Sequence, residues 1–277
     1  MSPVLLVRLL SFALATSPVA GVEPLPHLLL TGGALGLLGL TEAIVKPGLQ
    51  APANCRLLGQ ICDPAPLWAG DRAVLGQQSR AWRQISDGLQ WGSLLLPVAA
   101  LAGGAALAAP SAGFWAEFAP DLLVWGEAVS LANLVAHGLK YAVRRPRPEL
   151  YRRSLTRSEQ QMSFPSGHST SVAAAAAAYA TLFNLRYPSS PWRGPVWGAA
   201  GVAVGLTASG RVLGGKHFTS DVLAGALIGG VIGSLVPLLH RARPELRLQV
   251  GHLPASAATG PAGSWWLTAI SSVGGPG

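Results

Sequence analysis

The chain has 277 residues, of which 50% are hydrophobic and only 12% are charged, and its formal net charge is +8. Soluble domains carry about 25% charged residues, so this balance is typical of a membrane protein and argues against a soluble nucleic-acid-binding domain. Because the basic residues concentrate in a few loops, we expect anionic lipid head groups or a phosphate-bearing substrate as partners, and no nucleic acid.

The N-terminal residues 1–22 contain an apolar run that Arg8 interrupts and that ends in small residues. This pattern fits either a signal peptide or an uncleaved N-terminal anchor. Residues 23–247 are expected to form one transmembrane domain. Residues 248–277 are rich in Gly, Ala, Ser and Pro and are expected to form a tail.

Six apolar stretches follow in chain order, each near the roughly 17–25 residues that cross a bilayer as a helix. None alternates with the period of a barrel strand, and their Gly and Ala residues allow close helix packing. The sequence therefore predicts an all-α fold, a polytopic bundle of about six transmembrane helices. The predicted spans are 27–45, 91–109, 121–143, 169–185, 194–210 and 221–240.

Residues 46–90 are interpreted as a long polar connection that contains Cys55 and Cys62. Two cysteines at this spacing form either a small disulfide, if the loop lies outside the cytoplasm, or two unpaired thiols. A zinc site would need further ligands nearby, and the sequence shows none there.

The end of the third span carries basic residues in the stretch KYAVRRPRP. Lys140 is followed after six residues by Arg147 and Pro148, and these two cations suit phosphate oxygens. The alternative is a loop that follows the positive-inside rule or contacts lipid head groups. Arg144 and Arg145 are given no role.

The start of the fourth span reads PSGHS, residues 165–169. Ser166 and Gly167 before a helix leave backbone N–H groups free at its positive end, where glycine lets an anion approach. His168 adds a group that can pass a proton near neutral pH. The stretch is equally consistent with a plain N-cap followed by a buried histidine.

The link into the sixth span contains Arg211, His217 and Asp221, with the last two at i, i+4 spacing. If both lie on the first helical turn, the carboxylate can accept one imidazole N–H and leave the other nitrogen free to attack. The alternative is a capping Asp with a histidine that bonds to it for packing. Counting the intervening spans places all three groups of residues at one membrane surface.

Other ionisable residues are given no role. Glu127, Asn133 and His137 lie within the third span, where a structural pair is at least as consistent with the pattern as a functional one. His27, His240 and His252 lie near span ends or in the tail and are expected to be solvated.

Taken together, Lys140-x6-Arg147-Pro148, Pro165-Ser166-Gly167-His168 and Arg211-x5-His217-x3-Asp221 resemble the three-part signature of the type 2 phosphatidic acid phosphatase superfamily. That family includes membrane lipid phosphatases and shares its fold with soluble acid phosphatases and vanadium haloperoxidases. The resemblance covers roughly residues 90–240 and implies a phosphatase core formed by helices three to six. One departure is Gly210 before Arg211, where the family usually has serine.

The resemblance implies a hydrolase acting through a phosphohistidine. His217 would be the nucleophile, Asp221 would orient it, and His168 would protonate the leaving oxygen and then activate water. The phosphate would be held by residues from all three motifs, with no metal and no cofactor. These are Lys140, Arg147, Ser166, Gly167 and Arg211.

The substrate is expected to be a lipid phosphate or diphosphate at the bilayer surface. The alternatives are a lipid or sugar phosphotransferase that uses the same intermediate and an inactive lipid-binding protein of the same fold. The family usually faces its site away from the cytoplasm, which would place this chain in a bacterial inner membrane with an extracytoplasmic site.

Overall fold

A computed structural model describes residues 24–45, 55–59, 61–109, 113–152, 162–241, 246–252 and 265–271. The segment 1–22, predicted as signal peptide or anchor, lies outside these residues. The chain divides into two compact units, Met1–Arg241 and Ala242–Gly277.

The described part of the first unit is helical. Its seven α-helices are α1 (Pro24–Leu40), α2 (Ala69–Arg72), α3 (Arg80–Ala108), α4 (Phe114–Val143), α5 (Gly167–Arg186), α6 (Arg193–Leu213) and α7 (Thr219–Leu239). A π-helical turn, Thr41–Val45, continues α1, and a 3₁₀ turn, Pro148–Tyr151, follows α4. This confirms the all-α bundle that the sequence predicted.

Two short pairs of antiparallel strands accompany the helices. In the first unit, β1 (Leu57–Leu58) pairs with β2 (Ile61–Cys62), and a disulfide joins Cys55 to Cys62 across the same turn. In the second unit, β3 (Leu246–His252) pairs with β4 (Trp265–Ser271). Apart from Leu246 and Arg247, the second pair falls in residues 248–277, the stretch predicted as a tail.

Five helical segments are long and apolar enough to cross a membrane. They are Leu25–Ile44, Arg80–Ala108, Phe114–Tyr151, Arg193–Leu213 and Thr219–Leu239. Many of their large apolar side chains are exposed, among them Leu96 on α3 and Leu227 on α7, as expected for surfaces that face lipid. The chain is an integral membrane protein.

Helix α5 corresponds to the fourth predicted span but is not among these five. Most of its residues are buried, and six consecutive alanines occupy its middle. A helix surrounded by other helices has little lipid-facing surface, so it needs small side chains rather than large apolar ones. Helix α5 therefore lies at the centre of the bundle.

Three glycines of α7 allow it to pack directly on the backbone of α5. A Cβ at Gly225, Gly229 or Gly233 would lie 2.5, 2.2 or 2.5 Å from a backbone oxygen of the segment that starts α5 or of α5 itself. Such small-residue stripes let transmembrane helices approach closely. The approach holds the N-termini of α5 and α7 side by side, and Ser166 N–H donates to the Asp221 carbonyl at 3.0 Å.

Helix α3 begins eleven residues before its predicted start, so interpreting residues 80–90 as part of a polar connection was wrong. Ser79 is the N-cap, and its hydroxyl accepts from Trp82 N–H. The first turns of α3 look polar because they line a polar cavity rather than lipid. This start brings Ser86 and Asp87 to the side of the bundle that carries the three motifs.

Candidate active site

A cavity of about 230 Å³ opens where α3, α4, α5, α6 and the loop before α7 come together. It brings together six of the eight predicted site residues from positions up to 77 residues apart in the chain. These are Lys140, Arg147, Gly167, His168, Arg211 and His217. Asp221 and Ser166 are buried next to it.

His217 lies in the loop before α7, and its side chain is almost fully buried. Its Nδ1 is 2.7 Å from the Ser163 carbonyl oxygen, which can only accept, so Nδ1 carries the proton. The Nε2 atom therefore has the free lone pair. Burial lowers the pKa of His217 to about 3, which keeps the ring neutral at physiological pH.

Asp221 is buried on the first turn of α7, and its Oδ2 lies 3.7 Å from His217 Nδ1. At this distance the two groups interact electrostatically without a hydrogen bond. The Nδ1–H group, which the spacing predicted would donate to the carboxylate, donates to the Ser163 carbonyl instead. The carboxylate accepts from Ser163 Oγ and from Phe218 N–H at 2.9 Å. Asp221 thus fixes the two segments that hold the histidine.

Arg145, to which the motifs assign no role, bridges Asp221 to a second buried carboxylate. Its guanidinium donates to Asp221 Oδ1 and, at 2.7 Å, to Asp71 Oδ2, and it lies over the Phe218 ring. Asp71 also accepts from Ser220 N–H and Oγ. The motif spacing could not reveal this network, because Asp71 comes from the short helix α2 in the polar loop.

Lys140 lies at the end of α4 and reaches under the start of α5. Its Nζ donates to the Pro165 carbonyl at 2.6 Å and to the Met162 carbonyl at 3.2 Å. A Cβ at Gly167 would lie 3.6 Å from Lys140 Cε. Glycine therefore leaves the space beside the lysine open, which suits a bound anion.

Asp87 on α3 is a site residue that the sequence did not indicate. Its Oδ1 is 2.9 Å from both His168 Nε2 and Arg211 Nη1. Because a carboxylate oxygen only accepts, His168 Nε2 carries a proton in this arrangement. The one available signal was the capping Ser79 eight residues earlier, which marks a helix start before the predicted span.

Ser166 takes the alternative role that the sequence left open, that of a helix cap. It is fully buried, its hydroxyl accepts from Ser169 N–H, and it also hydrogen-bonds Ser169 Oγ. The hydrogen bonds of its side chain are thus with its own helix.

Packing explains the departure from the family pattern at Gly210. A Cβ at this position would lie 2.7 Å from both Ser86 Cβ and the Trp82 carbonyl oxygen. Helices α3 and α6 therefore cross too closely here for the serine that the family usually carries.

In this helical membrane bundle, three histidines, a lysine and two arginines line one cavity. Such a set of basic side chains is suited to binding a phosphate group. Residues 121–245 match the model of the PAP2 superfamily. This match confirms the family resemblance over that part of the chain.

Several characterised proteins are similar to parts of the chain. A lipid A 1-phosphatase of Porphyromonas gingivalis is 44% identical over 75 residues, which are 26% of this chain and 15% of that protein. A decaprenylphosphoryl-5-phosphoribose phosphatase of Mycobacterium tuberculosis is 32% identical over 128 residues, 46% of this chain and 66% of that protein. The chain therefore covers less than two thirds of these relatives.

A solved structure is also similar, the PAP2 type phosphatidylglycerolphosphate phosphatase from Bacillus subtilis. Its sequence identity to this chain is 22%, and the TM-score is 0.45. The match covers 78% of this chain and 95% of that one.

Proposed function

We propose that this protein is a membrane phosphatase that hydrolyses a lipid phosphate or diphosphate monoester through a phosphohistidine. The observation that carries the proposal is the protonation of His217. Its Nδ1–H is held by the Ser163 carbonyl, and the ring lines the cavity that also contains the cations. A neutral imidazole with one free nitrogen is the form that can attack phosphorus.

In this mechanism Nε2 of His217 attacks phosphorus in line as the bond to the lipid oxygen breaks. The imidazolium that forms keeps its Nδ1 proton, and the Asp221 carboxylate at 3.7 Å stabilises the new positive charge. Lys140, Arg147 and Arg211 bind the equatorial oxygens, whose charge shifts during transfer. These three basic side chains supply the positive charge that many phosphotransferases obtain from a metal, so we expect the reaction to proceed without one.

His168 serves as the general acid and then as the base. The ring must donate as the imidazolium: burial and Arg211 lower its pKa to about 4 before substrate binds, and the negative charge of the substrate phosphate would raise it. The Nε2 proton, held by Asp87 before substrate arrives, then goes to the leaving lipid alkoxide and leaves the ring neutral. The neutral ring then takes a proton from the water that hydrolyses the phosphohistidine. Substrate phosphate would replace Asp87 as the partner of Arg211, so Asp87 keeps both groups oriented in the empty cavity.

The substrate class follows from the position of the cavity and from the relatives. The cavity lies at one end of the transmembrane helices, where a lipid head group would be presented. The relatives named above act on phosphates of lipid A and of a decaprenyl lipid, so both belong in a substrate panel.

The active site is proposed to face the extracytoplasmic side of a bacterial inner membrane. The Cys55–Cys62 disulfide supports this orientation, because disulfides persist in oxidising compartments. Cys62 packs with Leu150, Tyr151 and Phe218, which places the disulfide on the same side as the active-site loops.

The test is phosphate release from lipid phosphates by the purified protein in detergent with EDTA present, beside His217→Ala. The panel would contain lipid A, decaprenylphosphoryl-5-phosphoribose, phosphatidylglycerol phosphate and phosphatidic acid. We expect metal-independent release that the variant abolishes. Wild type quenched in alkaline denaturant should carry phosphate on histidine, because the P–N bond is stable in alkali and not in acid. Dephosphorylation of the lipid that requires an added alcohol or sugar, with the phosphate recovered on that acceptor, would indicate a phosphotransferase instead. Equal release by wild type and variant would contradict the proposal.

A further inference from the structure

A second cluster of ionisable side chains lies far from the active-site cavity. His27 from the first turn of α1, Glu127 from the middle of α4 and His240 at the end of α7 come together there. Glu127 precedes Lys140 by thirteen residues, or about 20 Å along the helix. The two histidines, which the sequence led us to expect in solvent, are therefore packed against a carboxylate within the bundle.

The three residues present their ligand atoms to one another. His27 Nδ1 is 2.6 Å from Glu127 Oε2, and His240 Nε2 is 3.7 Å from the same oxygen. All three ligand atoms lie within 4.8 Å of one another, and the two imidazole rings meet edge to face. Each side chain is only 13–22% exposed, so water screens the group poorly.

A hydrogen bond orients the His240 ring. Its Nδ1 is 2.8 Å from the Val236 carbonyl oxygen, which can only accept, so Nδ1–H donates to it. This orientation turns Nε2 toward the Glu127 carboxylate at 3.7 Å, which is too long for a direct hydrogen bond. The two ligand atoms are therefore placed so that a cation can lie between them.

We propose that His27, Glu127 and His240 bind a divalent transition-metal ion. Two imidazoles and a carboxylate are ligands that zinc and its neighbours accept, and a fourth position is then left for water. Ligands of a tetrahedral zinc ion lie about 3.4 Å apart, so the cluster needs shifts of about 1 Å to close on the metal. The bond from His240 Nδ1 to a backbone carbonyl is the usual support for a metal-binding histidine.

The ion would connect three helices that are far apart in the chain. The apolar stretch of α1 has no buried residue, although Thr31 lies near Gly126 of α4. A metal bound to α1, α4 and α7 would hold α1 on the bundle. The site thus has a structural role, separate from the chemistry at His217.

The test uses the full-length protein in detergent, with any affinity tag removed and resident metal stripped by a chelator. Zn²⁺ is titrated calorimetrically, and thermal unfolding is followed with and without Zn²⁺. We expect one Zn²⁺ per chain and a higher unfolding temperature when it is bound. Glu127→Gln and His240→Gln should each weaken Zn²⁺ binding at least about 10-fold.

The matched control is His137→Gln. His137 also lies on α4, its Nδ1 also bonds to the carbonyl four residues earlier, and its Nε2 is 3.4 Å from Glu42. Among the residues that the structure describes, His137 faces one carboxylate and belongs to no group of three possible metal ligands, so this variant should bind Zn²⁺ as the wild type does. Sub-stoichiometric Zn²⁺ binding by the wild type, or equal binding by all four proteins, would overturn the proposal.

A measurement on the wild type alone guards against variants that fail to fold. X-ray absorption of the zinc-loaded protein should show nitrogen and oxygen neighbours at about 2.0–2.2 Å, with the multiple scattering of imidazole. A sulfur shell at about 2.3 Å would place the metal on Cys55 and Cys62 and overturn the assignment. None of these readouts depends on phosphatase activity.

Discussion

Replacing Arg145 with methionine tests whether the charge network behind His217 holds the active-site loops together. The guanidinium bonds two carboxylates, on Asp221 and Asp71, whose side chains are 0% and 2% exposed. Methionine keeps the length of the side chain but leaves both carboxylates without their counter-charge. Removing one partner of a buried ion pair costs about 3–5 kcal/mol, because the remaining charge is buried without compensation.

The lower part of this range is the better expectation for each carboxylate. Asp221 keeps the hydrogen bonds from Ser163 Oγ and Phe218 N–H, and Asp71 keeps those from Ser220. Thermal unfolding of the purified protein in detergent measures the effect. A loss of about 3–5 kcal/mol corresponds to a fall of about 6–20 °C in Tm for a chain of this size.

The matched control is Arg193→Met, which removes an exposed arginine whose Nη1 bonds only a backbone carbonyl among the contacts described for it. Its stability should stay within about 0.5 kcal/mol of the wild type. The double variant Arg145→Met with Asp71→Asn should recover part of the loss, since one unpaired charge is then removed. If Arg145→Met unfolds at the same temperature as Arg193→Met, the network does not stabilise the fold and our reasoning is wrong.

Three further predictions follow from the packing and protonation of the site. Gly229→Ala should destabilise the protein by about 1–3 kcal/mol, because its Cβ would meet the backbone of α5. Gly230→Ala should leave the stability unchanged, because a Cβ there would have no atom within 4 Å. Equal melting temperatures for the two variants would contradict the packing argument. Burial lowers the pKa of His217 to about 3, so between about pH 6.5 and 3 the unfolded chain binds a proton that the folded chain does not, and stability falls as pH falls. Melting curves at pH 7 and 5 should therefore show that the free energy of unfolding falls less for His217→Gln than for the wild type, by on the order of 1–2 kcal/mol. A greater fall for His217→Gln would contradict the direction of the pKa shift that we assign. His168→Ala should slow hydrolysis of an alkyl lipid phosphate by about 10²–10⁴-fold and slow that of an aryl phosphate far less, because a phenolate leaves without a proton. Equal slowing of both substrates in steady-state assays would argue against a general-acid role.

The sequence alone determined the fold class and the main groups at the site. Long apolar stretches can satisfy their backbone hydrogen bonds in a bilayer only as helices or closed barrels, and the absence of alternation left helices. Residues such as His217 and Asp221 could be related by spacing because both lie near one helix end. For the same reason, counting spans sufficed to place the three motifs at one surface.

The tertiary structure decided how these groups are held and which others join them. Asp87 and Asp71 come from a stretch that looked like a polar loop, because its polar residues follow no hydrophobic period. Their partners, Arg211 and His168 for Asp87 and Arg145 for Asp71, are distant in the chain. The cluster of His27, Glu127 and His240 joins positions separated by up to 213 residues, and no local pattern records such a contact. Likewise, the glycine required at position 210 depends on where α3 crosses α6, which only the packed bundle determines.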